Sequence, residues 1–144
     1  MRTNVVFEHP ADFVPVSDED GVLAVRGAQW FVDLLQAIPG LEIDPRLCQE
    51  DWGVAIFVCS GNKKFWVGLS MWPESDRAWL AHVHHGSFAW LQRFSTSGRA
   101  ELERFVTNVH HALADNPSIT NVVWYQESAM RKASPIGAAT PGAG

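Results

Sequence analysis

The sequence predicts an α+β fold: an antiparallel sheet of about five strands with a central meander and two helices packed on one face. Three observations carry this reading. The runs Trp52 to Cys59 and Lys64 to Met71 are rich in β-branched and aromatic residues and flank Ser60-Gly61-Asn62-Lys63, whose Gly and Asn tolerate positive φ, so they pair as a hairpin. Two other segments repeat apolar residues at helical spacing. The strands come in a consecutive series instead of alternating with helices, which selects a layered α+β arrangement over a parallel sheet.

Taken in order, residues 1–26 hold the short β-prone runs Val5 to Phe7 and Val22 to Val25, separated by Pro10, Pro15 and the acidic turn Ser17-Asp18-Glu19-Asp20-Gly21. Strands joined by a loop fit this stretch. From Ala28 to Ile38, Trp30, Phe31, Leu34, Leu35 and Ile38 fall on one side of a helix that Pro39-Gly40 ends. In the second hairpin strand, alternation sends Phe65, Val67, Leu69 and Met71 to one face and Trp66, Gly68, Ser70 and Trp72 to the other. Pro73-Glu74-Ser75-Asp76 then turns the chain into a third strand, Ala78 to His84, completing the meander. Residues 85–94 carry both periodicities and leave the element type open. Ser97 or Gly98 caps a helix running to about Ala114, with Leu102, Phe105, Val106, Val109 and Leu113 on its apolar face. Asn116-Pro117 stops it, and Ile119 to Tyr125 returns as a strand of the same sheet. Residues 1–130 read as one globular domain, and residues 131–144, reduced to small and turn-forming types, as a flexible C-terminal tail.

Length and composition agree with a single domain. The chain has 144 residues, 47% hydrophobic and 19% charged, enough for a core without cross-links. Its net charge of −5 is uneven. Residues 1–60 hold ten acids against Arg2, Arg26 and Arg46, a balance of −7, while residues 61–144 hold six acids and eight bases, a balance of +2. An acidic half with no basic stripe argues against nucleic-acid binding and suits a basic protein partner; the competing reading is that the acids only keep the chain soluble. No apolar run approaches a membrane span, and the first residues lack the apolar stretch of a secretory signal, so the expected location is the cytoplasm. Cys48 and Cys59 have neither redox-motif nor zinc-ligand spacing and read as reduced thiols.

No catalytic or cofactor signature is present: the chain contains no GxSxG, HExxH, GxGxxG or P-loop. Asp18-Glu19-Asp20-Gly21 fails as a calcium loop, since the fifth and sixth positions from Asp18 are Val22 and Leu23. The one enzymatic candidate is the pair His82 and His84, which a strand projects from one face about 7 Å apart and which could supply two ligands to a metal. The plainer alternative places both on the polar side of a half-exposed strand. By helical geometry His110 lies at the flank of its apolar stripe and His111 on the solvent side.

Seven tryptophans against one tyrosine is the compositional oddity. Trp30 and Trp79 fall in core patterns. Trp66 and Trp72 share a strand face opposite the apolar one, so either the N-terminal segment covers them or they belong to an exposed contact patch, where Trp gives large area at small entropic cost. Trp52, Trp90 and Trp124 have no assigned place.

The string Gln49-Glu50-Asp51-Trp52-Gly53 leading into a strand, then Phe65-Trp66-Val67-Gly68, a late helix and Val123-Trp124-Tyr125, resembles small bacterial immunity proteins of the contact-dependent and polymorphic toxin systems, over roughly residues 49–125. The resemblance implies a cytoplasmic, non-catalytic antidote without cofactor that binds a toxin domain, often a nuclease, and blocks its active site with acids. The expected contact residues are Asp18, Glu19, Asp20, Asp44, Glu50, Asp51, Glu74 and Asp76, with Trp72 as an anchor. Two other classes compete: an acidic, dimeric secretion chaperone with an exposed apolar groove, and a metal-dependent hydrolase using His82 and His84.

Overall fold

The computed structural model describes residues 1–11, 16–17, 23–24, 28–50, 52–72, 75, 77–85, 96–130 and 136–142. The elements in chain order are β1 (Asn4–Glu8), β2 (Val16–Ser17), β3 (Leu23–Ala24), α1 (Gln29–Gln36), β4 (Leu41–Ile43), β5 (Cys48–Glu50), β6 (Gly53–Ser60), β7 (Lys63–Met71), β8 (Ala78–His85), α2 (Thr96–Ala114) and β9 (Thr120–Tyr125). The main sheet runs β4-β6-β7-β8-β1-β9, with β5 sharing the outer edge of β6 with β4, while β2 and β3 pair separately. The predicted meander is β6-β7-β8. The fold is α+β with two helices on one face, and the sheet is six positions wide where about five strands were expected. The surplus comes from β4 and β5, three residues each, too short for any alternation to show.

The meander forms because its pattern leaves no better choice. Ser60 pairs with Lys63, so Gly61-Asn62 is the whole loop, and Gly61 takes a φ of 60° that a side chain would resist. The chain's first strand, β1, then slots between β8 and β9, antiparallel to both. The registers put Val5, Phe7, Ile56, Val58, Phe65, Val67, Leu69, Trp79, Ala81, Val83 and Trp124 on one face, all buried. Against it lie Phe31, Leu34 and Leu35 of α1 and Leu102, Phe105, Val106, Val109 and Leu113 of α2. Phe7 stacks on Phe31 and Phe65 on Phe105, with centroids 5.9 and 5.0 Å apart. Pro39 and Gly40, the latter with φ 75°, end α1 where the sequence placed its stop.

One polar contact ties α2 to the sheet. The buried Trp124 donates its indole N–H to Nδ1 of His110 at 3.2 Å. Burial lowers the pKa of His110, which keeps the ring neutral and able to accept. Replacing His110 by alanine orphans that buried donor, an expected loss of about 1–2 kcal/mol, measured by urea unfolding. A loss below 0.3 kcal/mol would mean that water takes over the indole.

Two sequence expectations need correction. Residues 136–142, assigned to a flexible tail, are fastened to the sheet: Trp124 and Ala138 exchange both backbone hydrogen bonds at 2.7 and 2.9 Å, and Arg2 donates its backbone N–H to the carbonyl of Pro141 at 3.1 Å. Gly137 lies so close to Val123 and Tyr125 that a Cβ would collide with them. The glycine read as a mark of flexibility is therefore what permits docking. Trp30, placed in the core, is half-buried at the core's margin, whereas Trp79 is 2% exposed. Residues 86–95, including Trp90, lie outside the described residues.

Candidate functional site

Two apolar surfaces stand on opposite sides of the sheet. Asp44 and Glu50 of the acidic first half lie at one of them and Asp33 at the other.

The first occupies the sheet face away from both helices. Phe57, Trp66 and His84 are register neighbours across β6, β7 and β8, so their side chains share that face. Trp66 stacks on His84 with centroids 4.4 Å apart and planes 17° from parallel. Trp52, from the β5–β6 turn, reaches over the sheet to lie 6.1 Å from Trp66 and 5.5 Å from His82. Gly68 makes this possible, because a Cβ there would run into the His82 ring and stand 2.9 Å from Trp52. Gly68→Ala should therefore cost about 1–2 kcal/mol in stability and shift the tryptophan emission; an unchanged spectrum would show that the two rings do not rest on the glycine. Trp52 and Phe57 remain 41% and 40% exposed. Beside them opens a cleft of about 610 Å³, whose rim carries Asp44, Glu50, Arg46 and Lys64.

The charges of this cleft are mixed. Asp44 accepts from the Arg46 guanidinium at 2.8 and 3.0 Å, which holds its carboxyl down at about 2. That carboxylate is already engaged. At His82, burial, reinforced by the neighbouring His84, pushes the pKa down to about 4. The expected same-face geometry of the pair holds, with ring centroids 5.7 Å apart. Among the described residues no group of three or more His, Cys, Asp or Glu is gathered as a metal site, and the rings of Trp52 and Trp66 lie against the pair.

The second surface is a groove of about 840 Å³ between the C-terminal turns of α1 and α2. Trp30, Leu34, Ile38 and Ala112 give it an apolar lining, Asp33 and Asp115 stand on it, and no Lys or Arg lines it among the described residues. Asp33 lies in the last turn of α1 and Asp115 directly follows α2. These are the places where the helix dipole disfavours a carboxylate. Asp33 accepts only a hydrogen bond from the Gln29 amide, at 2.8 Å, and neither acid is ion-paired among the described residues. Trp30 is stacked on His9, centroids 3.7 Å apart and planes nearly parallel, and its buried indole N–H finds no acceptor among the described residues.

Of the predicted contact residues, Asp44 and Glu50 meet at the sheet-face cleft together with Trp52 and Trp66. Trp72 does not join them. It sits one position beyond β7, half-buried, with its N–H donated to the carbonyl of Ala78 and its carbonyl accepting from the Ser75 N–H, six positions along the chain from Trp66. Asp18, Glu19, Asp20, Asp51, Glu74 and Asp76 lie outside the described residues. Trp30, Asp33 and Asp115 were missed as a group. A signal existed: two acids at helix C-termini, where a stability-driven sequence places cations.

No helix among the described residues is long and apolar enough to cross a membrane. Compared with family models, curated proteins and solved structures, the chain matches none.

Proposed function

We propose that this chain is a non-catalytic protein-binding module, an immunity-type inhibitor that occludes a basic partner domain, with the groove between α1 and α2 as its contact surface. One observation carries the reading: an apolar groove holding Trp30 bears two carboxylates, Asp33 and Asp115, with no Lys or Arg among its described lining residues. A cationic partner side chain entering it would exchange water for two fixed negative charges next to an aromatic anchor, the combination from which interface hot spots are built. The helix C-termini add their partial negative charge to the same place.

The test is to sequence the gene neighbouring this chain's own and to titrate any basic domain it encodes with the protein. Stoichiometric loss of that domain's activity on adding the protein, with an association rate that falls as salt rises, is the expected result. Binding that leaves the activity intact removes the inhibitor reading. It would favour the alternative, an acidic secretion chaperone, to which the apolar cleft on the sheet face lends specific support.

A further inference from the structure

We propose that the partner side chain entering the α1–α2 groove is an arginine, its guanidinium spanning the ends of the two helices. This rests on the reading of the groove as the contact surface and names the group recognised there. The carboxylates select a cation, since Asp33 and Asp115 stand on the groove with no Lys or Arg among its described lining residues. Asp33 is met only by the neutral Gln29 amide. Unlike Asp44, which Arg46 already holds, these two acids have no cation of their own among the described residues.

The remaining acceptors select which cation. Both helices end at the groove, and a helix end leaves carbonyls without intrahelical partners. After α1 the Ala37 N–H bonds back to the carbonyl of Asp33, the Ile38 N–H to Leu35 and the Leu41 N–H to Ile38; after α2 the Asp115 N–H bonds back to His111 and the Asn116 N–H to Leu113. The carbonyls of Ala37 and Ala112, two lining residues, therefore accept from no backbone N–H among the described residues. Each helix thus brings one carboxylate and one open carbonyl to the groove. An ammonium offers three donors from a single nitrogen, whereas a guanidinium offers five spread over a plane and no acceptor of its own. Helix axes pack about 8–10 Å apart, so acceptors on two helices are met better by a plane of donors than by one point. The guanidinium is also the more weakly hydrated cation, which suits a lining of Trp30, Leu34 and Ile38, and the methylene stem covers such a surface.

The test uses N-acetyl-arginine methylamide and N-acetyl-lysine methylamide, which carry the same charge and differ in the head group. Each is titrated to about 50 mM into the nitrogen-15-labelled full chain at constant ionic strength. The arginine derivative is expected to shift the amide resonances of Asp33, Ala37, Ala112 and Asp115 and to bind at least about fivefold more tightly than the lysine derivative. Asp33→Asn and Asp115→Asn, both at exposed positions, should each weaken that binding about threefold or more, with the remaining resonances showing that the variants are folded. Equal binding of the two derivatives, binding of neither, or binding that both variants leave intact overturns the proposal. The inhibitor reading fails separately. Inhibition of the partner domain together with equal binding of the two derivatives would reject arginine and keep the inhibitor; arginine-selective binding without inhibition would do the reverse.

Discussion

Replacing Asp33 and Asp115 together by lysine is expected to weaken binding of a basic partner about 100-fold or more while leaving the free protein folded and slightly more stable. Each substitution turns attraction into repulsion beside the apolar lining made by Trp30, Leu34, Ile38 and Ala112, where charge pairs are less screened than in open water. Coupling energies of close interfacial charge pairs begin at about 1.5 kcal/mol, roughly a factor of ten each in Kd. The stability effect runs the other way. A carboxylate at a helix C-terminus is unfavourable, and a lysine there gains from the same dipole, worth about 0.3–1 kcal/mol per site. Asp33 gives up its bond from Gln29, but that contact is exposed and contributes little. Isothermal titration and urea unfolding of one preparation measure both quantities. Weaker binding with lower stability would indicate a damaged fold, and a Kd within twofold of wild type would clear the groove of any role.

The second large effect is in acid. The native pKa of His82 lies near 4, first through burial and second through His84, with Glu127 acting in the opposite direction; in the unfolded chain the ring returns to about 6.5. At pH 7 both states are neutral at this residue and the full stability is present. Between pH 6.5 and 4 the unfolded chain holds a proton that the folded one refuses, so unfolding is favoured progressively as pH falls. Below about 4 both states are protonated and this contribution is gone. The slope approaches 1.4 kcal/mol per pH unit at most, and because the ring is not fully buried the integrated loss is about 2–3 kcal/mol. Urea midpoints from pH 7.5 to 4 should show it, and His82→Leu should flatten that part of the curve. An equal decline in the variant would assign the acid sensitivity to other groups.

How much of this was legible in the sequence depended on the length of the pattern. The meander could be read because Phe65, Val67 and Leu69 recur at every second position of the nine-residue β7 and are all buried, only Met71 at its end turning out exposed, and α2 because nineteen residues repeat one apolar stripe. β4 and β5 were illegible: three residues specify no period, and they pair only because β6 offers its edge. The site was harder. Alternation put Trp66 on one face of its strand and His82 and His84 together on one face of the next, but the register that brings them side by side went unread, and Trp52 enters their cluster from a turn, through the space left by Gly68, a contact no periodicity encodes. Counting acids pointed to residues 1–60, whereas the packing of two helices gathers at the groove Asp33 and Asp115, 82 positions apart in sequence, with no Lys or Arg beside them among the described lining residues. Composition likewise misjudged residues 136–142, since glycine and alanine describe a mobile segment and a closely docked one equally well.

That docked segment governs how the molecule can assemble. β9 is an outermost strand of the sheet, and an open strand edge is a template on which further chains can grow. Ala138 occupies the backbone groups of Trp124 that would be offered there. At the opposite edge, β4 and β5 are two separate short pieces with Asp44 and Arg46 between them, a margin too interrupted for continuous pairing. Both margins are thus interrupted as templates for ribbon-like growth. A version of the protein shortened before residue 136 would reopen one margin, and its characteristic failure would be fibrillar aggregation with the helices still intact.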